Sequence, residues 1–261
     1  MRESEASGTP TVMCILISTK EFHANRIRAI RETWAPYCDG FLVFSTVSDP
    51  RIPAISIPHD GPEAYDNLWQ KTRAMLKYVG THYLDQFDFF YKGDDDTYAI
   101  PHHLKRYLRD ILDQHQKTAD DDFFIGRRFK WDWSPIYNSG GPGYAMSRGT
   151  LRKYAEIGWN HSDCFINATR EEDIVLAKCL SGMFGIQPID TRDDEGRHRF
   201  HHMSLSWLYA WPNVSVFAGI SAEDYVRFST DGRPLEKEMC CSPSTVSLHH
   251  VKNPALMRHI H

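Results

Sequence analysis

The sequence predicts an α/β fold, and three observations carry that expectation. Residues 11–18 (TVMCILIS), 40–47 (GFLVFSTV) and 87–91 (FDFFY) are short apolar runs rich in β-branched and aromatic residues, as buried strands are. The first two flank a stretch of helical period, and a strand–helix–strand order predicts parallel pairing through a right-handed crossover. The third run ends in Lys92-Gly93-Asp94-Asp95-Asp96-Thr97-Tyr98. Asp is disfavoured inside strands, so three in succession mark the point where a strand leaves a sheet. In open α/β sheets ligands bind beyond that carboxyl edge.

The elements follow in order. Residues 23–34 (HANRIRAIRETW) set Ile27, Ile30 and Trp34 at helical spacing, with arginines on the outer face, and Pro36 stops the helix. A short strand is centred on Ala54-Ile55-Ser56-Ile57. After the turn His59-Asp60-Gly61-Pro62, a helix is expected from about Glu63 to His82, with Leu68, Met75, Leu76 and Val79 as its apolar stripe. Its N-terminus would offer backbone N–H groups to a phosphate or ribose. Residues 101–116 form another amphipathic helix. The second acidic triplet, Asp120-Asp121-Asp122, follows a polar helix tail and reads as a solvated loop with no metal.

Strand 123–125 leads into residues 126–130 (GRRFK), a basic strand exit that either an anionic ligand or a surface face would explain. Residues 137–147 (YNSGGPGYAMS) hold three glycines in four positions, which lets backbone approach a ligand closely. Their spacing matches neither glycine signature of nucleotide-binding loops. Glu171-Glu172-Asp173 opens an apolar helix. Dipole and capping account for at least one of these acids, and one facing a cleft could act as a general base. A short strand is read at 185–190. Residues 200–233 are aromatic and irregular, and residues 244–251 (STVSLHHV) are strand-like and carry His249-His250.

Packed carboxylates repel unless a cation offsets them, and oxygen donors suit Mg²⁺ or Mn²⁺, which in turn hold a diphosphate. A neutral imidazole from the His249-His250 pair is a natural further ligand. The formal charge of −4 over 261 residues offers no electrostatic case for nucleic-acid binding. No stretch approaches the ~18 apolar residues of a membrane span. Six cysteines without CxxC spacing, and sequons at Asn160, Asn167 and Asn213, together favour an oxidising secretory compartment. Cys240 and Cys241 are adjacent, and each is expected to pair with a distant partner.

RETWAPYC, DDDTY, GRRFK, SGGPGY, EED and CCSPSTVSLHHV occur in that order along the chain. In this combination the sequence resembles the inverting β1,3-glycosyltransferases of family 31, most closely the core 1 β1,3-galactosyltransferases, over about residues 12–251. The resemblance implies a GT-A fold, a Rossmann-like mixed sheet flanked by helices. It divides the chain into a stem remnant at 1–10, one catalytic domain at 11–251 and a tail at 252–261. The domain comprises a nucleotide-binding half (11–125) and an acceptor-binding half (126–251). It also implies a type II protein of the Golgi lumen whose membrane anchor this sequence lacks. The partners implied are a UDP-sugar donor and a glycan or glycopeptide acceptor; a homodimer is compatible with this.

By the same resemblance, Asp94, Asp96 and His249 would hold Mn²⁺ against UDP-galactose. Asp173 would be the general base, with Glu172 as runner-up. Thr19, Glu63, Ala64, Tyr65, Lys71 and Asp94 correspond to positions that meet UDP, as does His250, which replaces a family tyrosine. Residues 137–143 would line the donor sugar. Residues 228–239 (FSTDGRPLEKEM) stand where core 1 enzymes carry a Trp/Tyr cluster, so Trp207, Tyr209 and Tyr225 are the candidates to stack on an acceptor sugar. The implied reaction moves galactose to N-acetylgalactosamine on Ser or Thr. The alternatives are a fringe-like transferase using UDP-N-acetylglucosamine and a catalytically silent, chaperone-like relative.

Overall fold

The first expected strand forms as β1 (Val12–Ile17) and divides its side chains between two cores, because successive residues of a strand face opposite ways. Met13, Ile15 and Ile17 join one apolar cluster, while Val12, Cys14 and Leu16 join the other. The computed structural model describes residues 8–164, 168–211, 216–217, 220–233, 235 and 237–261. The sequons at Asn167 and Asn213 lie outside them, as do residues 1–7 of the expected stem remnant.

After β1 come α1 (Arg28–Glu32), β2 (Gly40–Phe44), β3 (Ala54–Ile55), α2 (Leu68–His82), β4 (Phe89–Asp94), β5 (Tyr98–Ala99) and α3 (Pro101–His115). The second half holds β6 (Phe124–Gly126), β7 (Arg128–Phe129), β8 (Tyr137–Asn138), β9 (Tyr144–Ser147), α4 (Arg148–Glu156), α5 (Glu172–Phe184) and β10 (Pro188–Ile189). The chain closes with β11 (Phe200–His201), α6 (Leu205–Ala210), β12 (Val216–Phe217), β13 (Ile220–Ser221), α7 (Ala222–Phe228), β14 (Ser247–Leu248) and α8 (Pro254–His259).

Seven strands form one mixed sheet in the order β10-β6-β9-β4-β1-β2-β3. Strands β3, β2, β1 and β4 run parallel, and β9 lies antiparallel between β4 and β6. Helices α2, α4 and α5 cover one face, and α1, α3 and α8 the other. This is the helix-flanked mixed sheet expected of the α/β class. The strand register brings distant segments to one edge. Ile17 stands beside Asp94, so β1 and β4 end together. Lys92 stands beside Tyr144, so the glycine run just before β9 arrives at the same edge. A separate three-stranded sheet, β11-β14-β5, brings the chain after Leu248 to that edge as well.

Four expectations need correction. The helix expected from Glu63 begins at Leu68, because the loop before it closes on itself. Asn67 Nδ2 donates to the carbonyls of Asp60 and Pro62, at 2.7 and 2.9 Å, which holds residues 60–64 in an irregular loop, and Tyr65–Asn67 form a turn of 3-10 helix before α2. In the basic exit GRRFK, Lys130 is exposed, but the two arginines are explained neither by a ligand nor by a surface face. Arg127 is buried and pairs with Asp231 at 2.6 Å, and Arg128 reaches the other oxygen of that carboxylate at 2.5 Å. Trp207 and Tyr225 are core residues, buried and packed on each other with ring centroids 5.1 Å apart and planes tilted by 50°. Tyr209 alone of the three stacking candidates is exposed, at 67%.

The fourth correction concerns the cysteines. Cys14 pairs with Cys38 and Cys164 with Cys179, which leaves Cys240 and Cys241 to bond to each other. In the second acidic triplet Asp120 is exposed and held by Arg148 and Arg152, and Asp122 is partly buried and held by Lys153. Asn160, the sequon residue within the described residues, is exposed. No helix of the described residues is long and apolar enough to cross a membrane.

Candidate active site

A cleft of about 710 Å³ opens at the carboxyl edge of β1 and β4. The stacking candidates Trp207, Tyr209 and Tyr225 do not line it, but Glu172 does, and so do the ten residues assigned to the metal, the nucleotide and the base: Thr19, Glu63, Ala64, Tyr65, Lys71, Asp94, Asp96, Asp173, His249 and His250. They come from six separate stretches of chain, and the register of the two sheets is what gathers them.

On the β1 side, Lys71 is buried and gives its ammonium to the Ser18 carbonyl at 3.0 Å and to Glu63 at 3.1 Å. Burial pulls its pKa down, and Glu63 works against that pull. Thr19 Oγ1 is buried and has no hydrogen-bond partner among the described residues. Unmet polar groups of this kind are scarce in folded proteins and are met when a polar ligand arrives. Glu63, Ala64 and Tyr65 lie exposed at the rim.

The three aspartates of the triplet have three different environments. Asp95 is locked into the protein, taking Arg26 Nη1 at 2.6 Å and Ser18 Oγ at 2.8 Å. Burial still pushes its carboxyl up to about 6. Asp94 offers one oxygen to Lys92 Nζ at 2.8 Å and turns its remaining surface to the cleft. Asp96 is buried and faces two imidazoles, His249 Nε2 at 3.4 Å and His250 Nδ1 at 3.8 Å. Burial alone would raise Asp96, but the hydrogen bond from His249 and the charges of both histidines and Arg26 bring it to about 2.

A cation fits this corner. His249 Nδ1 lies 3.0 Å from the His202 carbonyl, which can only accept, so Nδ1 carries a ring proton, and in the neutral ring Nε2 presents its lone pair to Asp96. A carbonyl behind the ligating ring is the usual outer support of a metal-bound histidine. Gly141 makes room for the ring: a Cβ there would sit 2.3 Å from His249 Cε1. Among the described residues, the group of His, Cys and acid side chains able to share one ion is Asp96, His249 and His250.

Opposite lies the N-terminus of α5. Glu172 is 2% exposed and has both oxygens engaged, by Lys92 at 2.9 Å and by the Tyr144 hydroxyl at 2.9 Å. That leaves Glu172 without a free oxygen for proton transfer. Asp173 is half-buried, lines the cleft, and accepts from the backbone N–H of Gly140 and of Ile174, each at 2.9 Å. Burial and the neighbouring Glu172 charge push its carboxyl up to about 7. Carboxyls poised there are suited to exchanging protons near neutral pH.

A family model described as Fringe-like matches residues 9–203, three quarters of the chain. The chain belongs to that Fringe-like family. Its mixed, helix-flanked sheet is the GT-A type of architecture expected of such a member. The chain is also 28% identical over 254 residues to a glycoprotein-N-acetylgalactosamine 3-beta-galactosyltransferase 1 of Xenopus laevis, a match covering 95% of this chain and 64% of the relative. It is 25% identical over 227 residues to chondroitin sulfate synthase 3 of Homo sapiens, covering 79% of this chain and 24% of that protein. A beta-1,3-glucosyltransferase of Mus musculus matches at 27% over 167 residues, 63% of this chain and 32% of that protein. The chain thus spans under two thirds of the length of each of these relatives. Among solved structures, the galactosyltransferase LgtC with donor and acceptor sugar analogues aligns over 91% of this chain and 86% of its own, at 12% identity and a TM-score of 0.48.

Four further basic residues of this Fringe-like chain line the cleft without having been singled out from sequence: Arg26, Arg170, His202 and Lys252. Arg26 is one of several arginines on its stretch, and nothing in their spacing separates it from those that face solvent. Arg170 and Lys252 stand in irregular segments, where a single basic residue carries no distinguishing signal. His202 sits in the aromatic stretch that had no periodicity to read. Of residues 137–143, Ser139, Gly140 and Gly141 line the cleft.

Proposed function

We propose that the chain is an inverting β1,3-glycosyltransferase that moves galactose from UDP-galactose to an N-acetylgalactosamine-type acceptor on Ser or Thr. The observation that carries the reading is Asp173, whose carboxyl is poised near neutrality in the same cleft as Asp94 and the Asp96–His249 pair. Asp96 and His249 would hold Mn²⁺, with Asp94 beside them on the donor side. That ion, when bound, offsets charge gathering on the departing diphosphate, as a Lewis acid does.

The chain's own groups account for the remainder. Thr19 Oγ1, Lys71 and the 63–65 rim face the nucleotide side. The Gly140 and Ile174 N–H groups hold the Asp173 carboxylate in one orientation. Asp173 takes the proton of the acceptor hydroxyl as that oxygen bonds to the anomeric carbon. The bond from that carbon to the UDP oxygen breaks on the opposite face, so α becomes β. The paired cysteines and the sequons support residence in an oxidising lumen, which for this activity is that of the Golgi.

The test is UDP release across a panel of UDP-sugars and acceptors with Mn²⁺ present, repeated with Asp173→Asn. Galactose turnover above the other donors, lost in Asp173→Asn while UDP still binds, is the expected result. Preference for UDP-N-acetylglucosamine would move the chain to the fringe-like donor class. Absence of turnover and of metal-dependent UDP binding would identify a silent relative.

A further inference from the structure

The geometry points to a metal site built from one oxygen and two nitrogens, with His250 as a ligand alongside Asp96 and His249, and with Asp94 facing the donor instead of the ion. The metal concerned is that of the proposed glycosyltransferase reaction, and the inference rests on that reading.

The backbone sets the arrangement up. Strand β14 pairs on one side with β11 and on the other with β5. Both pairings continue past Leu248. His249 N–H donates to the His201 carbonyl at 3.1 Å, and Val251 N–H donates to the Asp96 carbonyl at 2.8 Å. Between two anchored residues, His250 adopts φ +59°, a left-handed conformation uncommon for anything but glycine, Asn, Asp and His. Such a conformation persists where the surroundings over-determine it, most often at functional sites. Its effect here is to turn two successive side chains to the same side. The rings stack with centroids 3.7 Å apart, and both face the Asp96 carboxylate, one toward each oxygen.

One ligand atom from each of Asp96, His249 and His250 lies within 4.8 Å of the others. When the His249 ring is neutral with its proton on Nδ1, its Nε2 lone pair and Asp96 Oδ1 face each other across 3.4 Å, a gap that a cation would fill. Asp94 is drawn the other way: Lys92, itself buried, holds one of its oxygens at 2.8 Å. The carboxylate therefore already has a cation. Two imidazoles also shift preference away from Mg²⁺, which favours oxygen donors, toward later first-row metals.

The test uses the whole chain with UDP and two probes, Mn²⁺ for spectroscopy and Co²⁺ against Mg²⁺ for affinity. Pulsed electron paramagnetic resonance of bound Mn²⁺ counts coupled imidazole nitrogens. The expected result is two imidazoles in the native chain and one in His250→Asn, which tolerates the left-handed backbone; His250→Tyr serves as a second variant should the first fold poorly. By calorimetry, the ratio of Co²⁺ to Mg²⁺ affinity should fall by roughly tenfold or more on losing His250. A single coupled imidazole in the native chain, unchanged in His250→Asn, would overturn the inference and leave the metal-dependent reading standing. Absence of Mn²⁺ binding in the native chain would overturn both.

Discussion

Lys92 Nζ lies 2.9 Å from Glu172 Oε1, and both side chains are buried almost completely. The same ammonium reaches Asp94, so one residue of β4 ties the metal edge of the sheet to the first turn of the helix that carries Asp173. Burial alone would lower the pKa of this lysine, but Asp94 and Glu172 more than reverse that and keep it charged. Replacing Lys92 by Met leaves Glu172 as a buried charge without its partner, a change that costs about 3–5 kcal/mol in comparable cases. Adding Glu172→Gln removes the orphaned charge, so the double variant is expected to recover part of the loss. Denaturant unfolding of the two single variants and the double variant measures this as a coupling energy.

Arg127 and Asp231 form a second buried pair, between the basic strand exit and the segment that stands in place of an aromatic cluster. Ser229 adds a hydrogen bond to Arg127 at 2.7 Å, and Arg192 donates to the Asp231 carbonyl at 3.1 Å. Asp231→Ala is expected to destabilise the chain by about 3–5 kcal/mol, because it leaves the Arg127 charge buried without its carboxylate. A change in the denaturation midpoint smaller than that of an exposed ion pair, such as Arg227 with Asp132, would contradict the assignment.

The acid triplet is legible in sequence because an aromatic strand ends on it abruptly, and the order of motifs then brings His249 and Asp173 to the same cleft. Lys92 is not legible in that way. A lysine near a strand end usually reaches solvent, and only the pairing of β4 with β9, which sets Lys92 beside Tyr144, encloses it. Arg127 is misread for a related reason. Its anion is another side chain, 104 residues away, in a stretch with no periodic pattern. The helix start at Leu68 escapes because Asn67 bonds back to the preceding loop, which is a choice between two local arrangements that composition does not separate.

The bond between Cys240 and Cys241 reverses the expectation from their adjacency, and it can be checked without any variant. Peptide mapping under non-reducing conditions should yield one peptide containing both residues, lighter by two hydrogens than after reduction. A cross-linked peptide joining either cysteine to Cys14, Cys38, Cys164 or Cys179 would refute the pairing. All three expected bonds should appear together, since no described cysteine is free.

Trp207 packs on Trp211 with centroids 4.9 Å apart and on Tyr225, whereas Tyr209 on the same short helix points outward. Trp207→Ala is expected to lower stability by about 3–5 kcal/mol, the range for emptying a buried aromatic site. Tyr209→Ala should leave stability within about 0.5 kcal/mol, as for most exposed positions. If Tyr209 stacks on an acceptor sugar, its loss raises the acceptor KM and leaves the KM for the UDP-sugar unchanged.

Asp173 should impose opposite pH dependences on activity and on stability. The base must be ionised to accept a proton, so turnover should climb as pH rises through about 7 and level off above it. Stability follows the other sign. A carboxyl whose pKa is higher folded than unfolded binds more protons in the native state, so the native state loses stability as pH rises between the unfolded value and about 7. Asp173→Asn removes the ionisation and keeps the shape. The variant should therefore lose turnover by roughly 10²-fold or more and yet unfold at a higher temperature than the native chain at pH 8, with the gap closing toward pH 4. Thermal unfolding across that range decides it. An equal difference at both ends would mean that Asp173 is already ionised throughout, and its assignment as a base poised near neutrality would fall.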